Sequence, residues 1–470
     1  MKVNPSIFRE YDIRGVAGKD LTPEFAEHLG QAYARYIQPT KGEKPAAGRA
    51  RLTVSVGWDC RLTSESYQKA LVRGLTHGGL DVICLGICPT PLTYFSVFHL
   101  NLDGAIMITG SHNPGDYNGF KICVGRDTLH GPQIQAIRIL MEAPVVNAPL
   151  TGTQSQLDII PLYTEHLLKI ARPLRKKKIV LDAGNGTAST VAPELFRRLG
   201  ADVIELYCTL DGTFPNHHPD PTVPDNLKEL VATVVSEGAD FGIGFDGDSD
   251  RIGLVDEKGR ILYGDEILVM FARDILKEHP GATIISDVKS SHRLFDDITQ
   301  RGGKAIMWKT GHSLIKSKMK ETGALLAGEF SAHIFFADRY FGFDDAIYAA
   351  LRVYEIASDL PGPLSSVLSD LPPTVTTPEI RVDCMEEKKF ELVHETRKRL
   401  AETYTVNALD GVRVDLKDGW GLLRASNTQP VVVLRFEATT QSRLNEIQKT
   451  IESALSDAAS AIGHPPLKLH

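Results

Sequence analysis

The chain of 470 residues is too long for one hydrophobic core and, at about 150 residues per unit, predicts roughly three domains or a few more. Its 42% apolar and 24% charged residues exclude intrinsic disorder. A formal net charge of -7 excludes nucleic acid as the main partner, because binding a phosphate backbone draws on surplus Lys and Arg; an anionic substrate would need a local basic cleft.

The segment from Met1 to Glu10 meets charge before any apolar run of signal-peptide length, and no run of about 18 or more apolar residues follows, so a soluble cytoplasmic protein is expected, without membrane partners. Cys60, Cys84, Cys88, Cys123, Cys208 and Cys384 are scattered and form no Cys-x-x-Cys pair, which predicts free thiols.

From Arg51 the pattern alternates: strand over Leu52 to Gly57, helix over Ser64 to His77, strand over Asp81 to Gly86, helix over Pro91 to Leu100, strand over Gly104 to Thr109. Short Val- and Ile-rich runs between helical stretches predict an α/β sheet covered by helices. Ser111 follows the last strand, where open α/β sheets place their chemistry. The rhythm restarts at Lys178 to Ala183 and reaches a strand at Phe241 to Asp246, again followed by an acidic motif. A third unit runs from a helix over Asp265 to His279 through strands at Thr283 to Asp287, Lys304 to Lys309 and Ala324 to Phe330. The last segment differs: strand Glu379 to Asp383, helix Glu386 to Thr403, strands Gly411 to Leu416, Gly421 to Ala425 and Val431 to Ala438, and helix Ser442 to Ala458. Expected units are 1–152, 153–257, 258–371 and 372–470, the Pro372-Pro373 pair giving the strongest linker signal. The predicted fold class is three similar α/β domains with mixed sheets plus a smaller C-terminal α+β domain.

Four motifs carry the chemistry. Thr109-Gly110-Ser111-His112-Asn113-Pro114 reads as a strand-to-loop turn; His112 beside Ser111, with Lys121 further on, supplies groups that activate a hydroxyl or move protons for a phosphorylated one. Asp246, Asp248 and Asp250 stand at every second position, which on an extended backbone sends all three carboxylates to one side. Three hard oxygen donors suit Mg²⁺. A solvated acidic turn is the plainer alternative, but Arg251 has no purpose there, whereas beside a metal-bound phosphate it adds a charged donor. An EF-hand is excluded, because Arg251 stands where that loop needs Gly and the flanks look like strands. Gly328-Glu329-Phe330-Ser331-Ala332-His333 offers a carboxylate and a hydroxyl on one face of an extended segment, either a reader of sugar hydroxyls or a strand end. Arg424-Ala425-Ser426-Asn427-Thr428-Gln429-Pro430 groups donors able to hold a phosphate dianion, or forms an ordinary turn or helix cap. Tyr11 and Arg14, in Tyr11-Asp12-Ile13-Arg14-Gly15, line a cleft or hold the N-terminus. His312 is a helix-start residue or a ligand, and Lys289 a cleft cation or a solvated lysine.

Taken together, these motifs resemble the α-D-phosphohexomutase superfamily, and within it the phosphomannomutase/phosphoglucomutase group. Tyr11 to Gly15, Pro89-Thr90-Pro91, Phe214 to Pro221 and Phe341 to Asp345 also look like that group, so the likeness spans the chain. The resemblance implies four domains around a central cleft. It implies a phosphoserine at Ser111, Mg²⁺ held by Asp246, Asp248, Asp250 and a phosphoserine oxygen, and acid/base groups in His112 and Lys121. Arg14, Arg251, Lys289 and His312 resemble cleft residues; Glu329 and Ser331, with His333 nearby, resemble the sugar readers. Arg424, Ser426, Asn427 and Thr428 resemble the distal phosphate loop. Three positions depart from the group: Gln429 where Glu is usual, Ala332 where Gly is usual, and Ser249 where Gly is common.

The implied activity interconverts hexose 1-phosphate and hexose 6-phosphate of mannose or glucose, with a 1,6-bisphosphate as intermediate and activator. The implied partner is a small phosphosugar, and the chain is expected as a monomer or small homo-oligomer. Phosphoglucosamine mutase ranks second, followed by a Mg²⁺-dependent phosphomonoesterase. A phosphosugar-binding paralogue without turnover is disfavoured by the intact Ser111, His112 and three aspartates.

Overall fold

The computed structural model describes residues 3–41, 49–144, 148–426 and 430–468. Among them the strands form four sheets of seven, five, four and six strands. In the first sheet, Thr53–Trp58 lies between its parallel neighbours Asp81–Ile87 and Gly104–Ile108. Beyond Gly104–Ile108 come Tyr117–Val124 and then Ile13–Val16, both antiparallel to their neighbours. Gly104–Ile108 is buried throughout, as its unbroken apolar run requires when helices cover both faces. Two of those helices, Pro23–Lys41 and Ser64–His77, cross so closely that a Cβ on Gly74 would sit 2.0 Å from the Glu27 carbonyl oxygen. The sheet also takes in Gln154–Gln156, parallel to Asp81–Ile87.

One construction recurs. In each of the first three units a parallel strand turns back into an antiparallel neighbour: Gly104–Ile108 into Tyr117–Val124, Phe241–Phe245 into Ile252–Asp256, and Leu326–Gly328 into Ile334–Phe336. The last pair of the fourth sheet, Gly419–Ala425 and Val431–Ala438, is likewise an antiparallel hairpin. The first three motifs each occupy such a turn-back, and the described residues of the fourth stand at the adjoining ends of this hairpin's two strands.

Every expected strand is present to within a few residues and helix Ser64–His77 matches at both ends, whereas strands Ile13–Val16, Tyr117–Val124 and Ile334–Phe336 lie outside the expected elements. Helices His292–Gln300, His312–Thr322 and Ala346–Asp359 lie outside the expected elements. Two backbone expectations are corrected. Asp246 to Asp250 and Glu329 to Ser331 are turns rather than extended segments, with Ser249 at φ +66° and Ala332 at φ +67°.

A large apolar core runs continuously from the first unit through the second and third, while residues of the fourth unit, Val382 to Ala459, form a core of their own. Between the third and fourth lies a small cluster of Val288, Trp420 and Leu422. No helix among the described residues is long and apolar enough to cross a membrane.

Candidate active site

Ser111 sits just past Gly104–Ile108 in left-handed backbone at φ +49°, a conformation that a non-glycine residue adopts only when its surroundings enforce it. The enforcement comes from Arg61. Its guanidinium donates to the carbonyl oxygens of Ser111 (2.7 Å), Asn113 (2.6 Å), Pro114 (2.5 Å) and Tyr117 (2.9 Å), and pairs with Asp59 at 3.1 Å. Gly110 leaves room for it, since a Cβ there would lie 2.6 Å from the guanidinium carbon. Phe214 covers the other face at 5.1 Å. Arg14 adds a brace from the neighbouring strand, donating to Asn113 Oδ1 and pairing with Asp12.

So held, the Ser111 hydroxyl donates to Asp246 Oδ2 at 2.9 Å and lies 3.2 Å from His112 Nδ1. Asp246 Oδ1 accepts the backbone N–H groups of Asp250 and Arg251, which closes the acidic turn on itself. The turn, rather than an extended strand, brings Asp246, Asp248 and Asp250 together: one oxygen of each lies within 4.8 Å of the others, all buried. Burial and the carboxylates of Asp248 and Asp250 push Asp246 well above the usual carboxylate range. Asp248 Oδ1 has no hydrogen-bond partner. Packed anionic oxygens, one of them unpartnered, are the donor set that a hard divalent cation fits.

Lys121 reaches the same cluster, donating to Asp248 Oδ2 at 2.6 Å and to Asp250 Oδ2. Desolvation opposes its charge, but Asp248 and Asp250 outweigh this and raise its pKa. Thr90 also donates to Asp248 Oδ2, at 2.6 Å.

His333 links this centre to the third unit. Its Nε2 lies 3.3 Å from Asp250 Oδ1 and from Arg251 Nε, and its Nδ1 lies 2.9 Å from Glu329 Oε2. Glu329 accepts the Gly311 N–H at 2.6 Å, and Ser331 Oγ lies 3.5 Å from His333 Nδ1. The carboxylate and hydroxyl thus meet around His333 instead of standing side by side on one strand face. His312 opens helix His312–Thr322 and also faces this group, its ring 5.7 Å from that of His333 and 5.8 Å from that of Tyr11. Desolvation, then the Lys316 and His333 charges, hold it well below the usual histidine range.

The path continues into the fourth unit. The Tyr11 hydroxyl donates to the Thr310 carbonyl at 2.6 Å, the Thr310 N–H donates to Asp410 Oδ2, and Asp410 pairs with Arg424 at 3.1 Å. Lys289 pairs with Glu379 at 2.7 Å across the same boundary. Ser426 is buried at the end of its strand, its N–H bonded to the Val431 carbonyl. Asn427, Thr428 and Gln429 lie outside the described residues.

Sequence reasoning passed over Arg61, Asp59, Thr90 and Asp344. Asp344 is fully buried, pairs with Lys316 at 2.8 Å and lies 3.7 Å from His312 Nδ1. Thr90 and Asp344 lie within Pro89-Thr90-Pro91 and Phe341 to Asp345, segments that carry the family likeness, whereas Arg61, whose partners are mostly backbone carbonyls, has no comparable sequence signal.

Four family models match in order: phosphoglucomutase/phosphomannomutase alpha/beta/alpha domain I over residues 5–143, domain II over 161–259, domain III over 263–375 and the C-terminal domain over 379–454. A phosphomannomutase/phosphoglucomutase of Pseudomonas aeruginosa is 47% identical over 465 residues, covering 98% of this chain and 97% of that one. A phosphoglucomutase of Neisseria gonorrhoeae is 43% identical, covering 96% and 97%. A crystal structure of a phosphoglucomutase/phosphomannomutase family protein from Burkholderia thailandensis superposes with a TM-score of 0.89 at 40% identity, covering 97% of this chain and 98% of that one. With matches along nearly its whole length and in an unbroken domain order, the chain belongs to the phosphoglucomutase/phosphomannomutase family.

Proposed function

We propose that this chain is a phosphohexomutase, interconverting hexose 1-phosphate and hexose 6-phosphate of mannose, glucose or both through a phosphorylated Ser111 and a 1,6-bisphosphate. The observation that carries the reading is the Ser111 hydroxyl 2.9 Å from Asp246 in a buried cluster of three aspartates, at one end of a chain of polar contacts that ends on Arg424. One reactive centre must serve both ends of one sugar, so a second phosphate-holding site at the far side of the cleft is needed, and Arg424 with Ser426, Asn427 and Thr428 is assigned to it.

In the first half-reaction the bond between Ser111 Oγ and phosphorus breaks as a bond forms from phosphorus to the free hydroxyl oxygen of the sugar, whose proton passes to His112, while Lys121, held charged by Asp248 and Asp250, serves as a donor. The bisphosphate then turns end over end, and its other phosphoryl group returns to Ser111 Oγ while the proton goes back to the released sugar oxygen. Asp246, Asp248, Asp250 and a phosphoserine oxygen would hold Mg²⁺, which when bound supplies neutralising charge to the transferring oxygens. Arg251 donates to the same oxygens, and Arg14 steadies the serine loop through Asn113. Glu329, Ser331 and His333 read the sugar hydroxyls, with Tyr11, Lys289 and His312 completing the wall.

The units are assigned to divide near Gly152, Glu257 and Leu371. A cytoplasmic setting accords with cysteines that are all free among the described residues. Rates on mannose 1-phosphate, glucose 1-phosphate and glucosamine 1-phosphate, each primed with the matching bisphosphate, test the reading. Conversion of the mannose or glucose ester without loss of phosphate is expected. Preference for the glucosamine ester, or stoichiometric release of inorganic phosphate, would overturn it.

A further inference from the structure

A cavity of about 360 Å³ opens where the first unit meets the third, apart from the cleft just described. Its size falls in the range of small-molecule sites. Aromatic rings build the wall: Tyr94 and Phe98 from helix Thr90–His99, and Phe341 and Phe343 from the third unit. Phe341 and Phe343 stack at 6.0 Å with only 7° between their planes, and Phe98 lies 5.0 Å from the first and 5.6 Å from the second. The charges around these rings are unequal. Arg126, Lys316 and Lys320 line the cavity against a single carboxylate, Asp127, which Lys320 already engages at 2.8 Å. Arg126 has no carboxylate partner among the described residues and lies over the Phe98 ring at 4.8 Å, while Lys316 lies over the Tyr94 ring at 4.3 Å.

We propose that this cavity is an effector site for a flat aromatic acid carrying a negative charge, its rings against Phe98, Phe341 and Phe343 and its acid group toward Arg126 and Lys320. Aromatic faces reward a planar apolar body, and Arg126, which has no carboxylate partner among the described residues, rewards an anion. The site is wired to the cleft by Lys316, which forms part of the cavity wall and pairs with Asp344, the carboxylate 3.7 Å from His312. An anion held by Arg126 and Lys320 also competes for the neighbouring Lys316 and loosens its hold on Asp344, so occupancy is felt in the cleft without overlap with the sugar.

The probe is 8-anilinonaphthalene-1-sulfonate, titrated by fluorescence against the full chain. Saturable binding of one equivalent is expected, with an affinity that glucose 1-phosphate shifts to a limiting value without displacing the dye. It is expected to weaken by about tenfold in Arg126→Glu and in Lys320→Glu, changes at exposed side chains that leave the fold intact. Uncharged N-phenyl-1-naphthylamine is expected to bind about tenfold more weakly than the sulfonate. Absence of saturable binding, equal binding of the two dyes, indifference to both substitutions, an affinity untouched by glucose 1-phosphate, or complete displacement by it would each overturn the proposal.

Discussion

Ser111 is held in left-handed backbone by a guanidinium that ties down four carbonyl oxygens, so its loop is templated by a side chain fifty positions away. Two predictions belong here. Ser111→Ala removes the hydroxyl proposed to carry the phosphoryl group but deletes only one heavy atom, so turnover on glucose 1-phosphate should fall by about four orders of magnitude or more while circular dichroism stays native. Arg61→Lys keeps a cation beside Asp59 but loses the planar fork, and a reactive atom displaced by about 1 Å costs roughly 10²-fold. A kcat reduced by that amount with KM little changed is the expected result of steady-state kinetics. Ser111 was legible because it follows a strand in a motif of turn residues. Arg61 was not, because its partners are backbone carbonyls, and those leave no mark on sequence.

At the level of elements, three motifs are the turn-backs of strand pairs, and each carries a non-glycine residue at positive φ: Ser111, Ser249 and Ala332. Glycine suits such positions without steric cost, which explains why Ser249 and Ala332 stood out as departures from the family pattern. Ala332→Gly should therefore stabilise the third unit by about 1 kcal/mol at most, the strain relieved being partly offset by the added freedom of the unfolded chain. Differential scanning calorimetry of the two proteins checks this; a lowered transition would contradict it. The strands were readable from short Val- and Ile-rich runs, and the acidic motif from its spacing. That spacing misled on conformation, because a period of two is the mark of an extended strand, and the turn signal against it was the single Gly247. Helix Ala346–Asp359 escaped notice because nearly all of its residues are buried, which erases the polar stripe that marks a surface helix.

Across the whole molecule, the first three units are joined by a shared apolar core beside the first unit's own, and the fourth, with its own core, docks through polar contacts and a small apolar cluster. The docking contacts include Lys289 with Glu379, His292 with Asp415 at 2.6 Å, and the buried Arg413 donating to the Val288 and Ser290 carbonyls. An arrangement of this kind can open and close while each unit stays folded. Burial alone would raise the Glu379 carboxyl, but the Lys289 ammonium and its hydrogen bond bring it down to about 2 from the ordinary 4.5. A depressed carboxyl stabilises fully above its unfolded value, and that stabilisation is lost as pH falls from 4.5 through about 2. Glu379→Gln should therefore weaken docking of the fourth unit at neutral pH by about 1–2 kcal/mol, with the difference from the parent protein vanishing near the lower limit of that window. Urea unfolding followed by tryptophan emission reads it, since Trp420 lies in the docking cluster.

Removal of divalent cations with a chelator should abolish turnover and leave the fold intact, and Mg²⁺ should restore it. The most direct measurement is the intact mass of the chain after incubation with glucose 1,6-bisphosphate, followed by peptide mapping. The account predicts a gain of one phosphoryl group, carried on Ser111, absent in Ser111→Ala and discharged by added glucose 1-phosphate. A chain that turns over hexose phosphate while gaining no phosphoryl group, or carrying it on another residue, would contradict it.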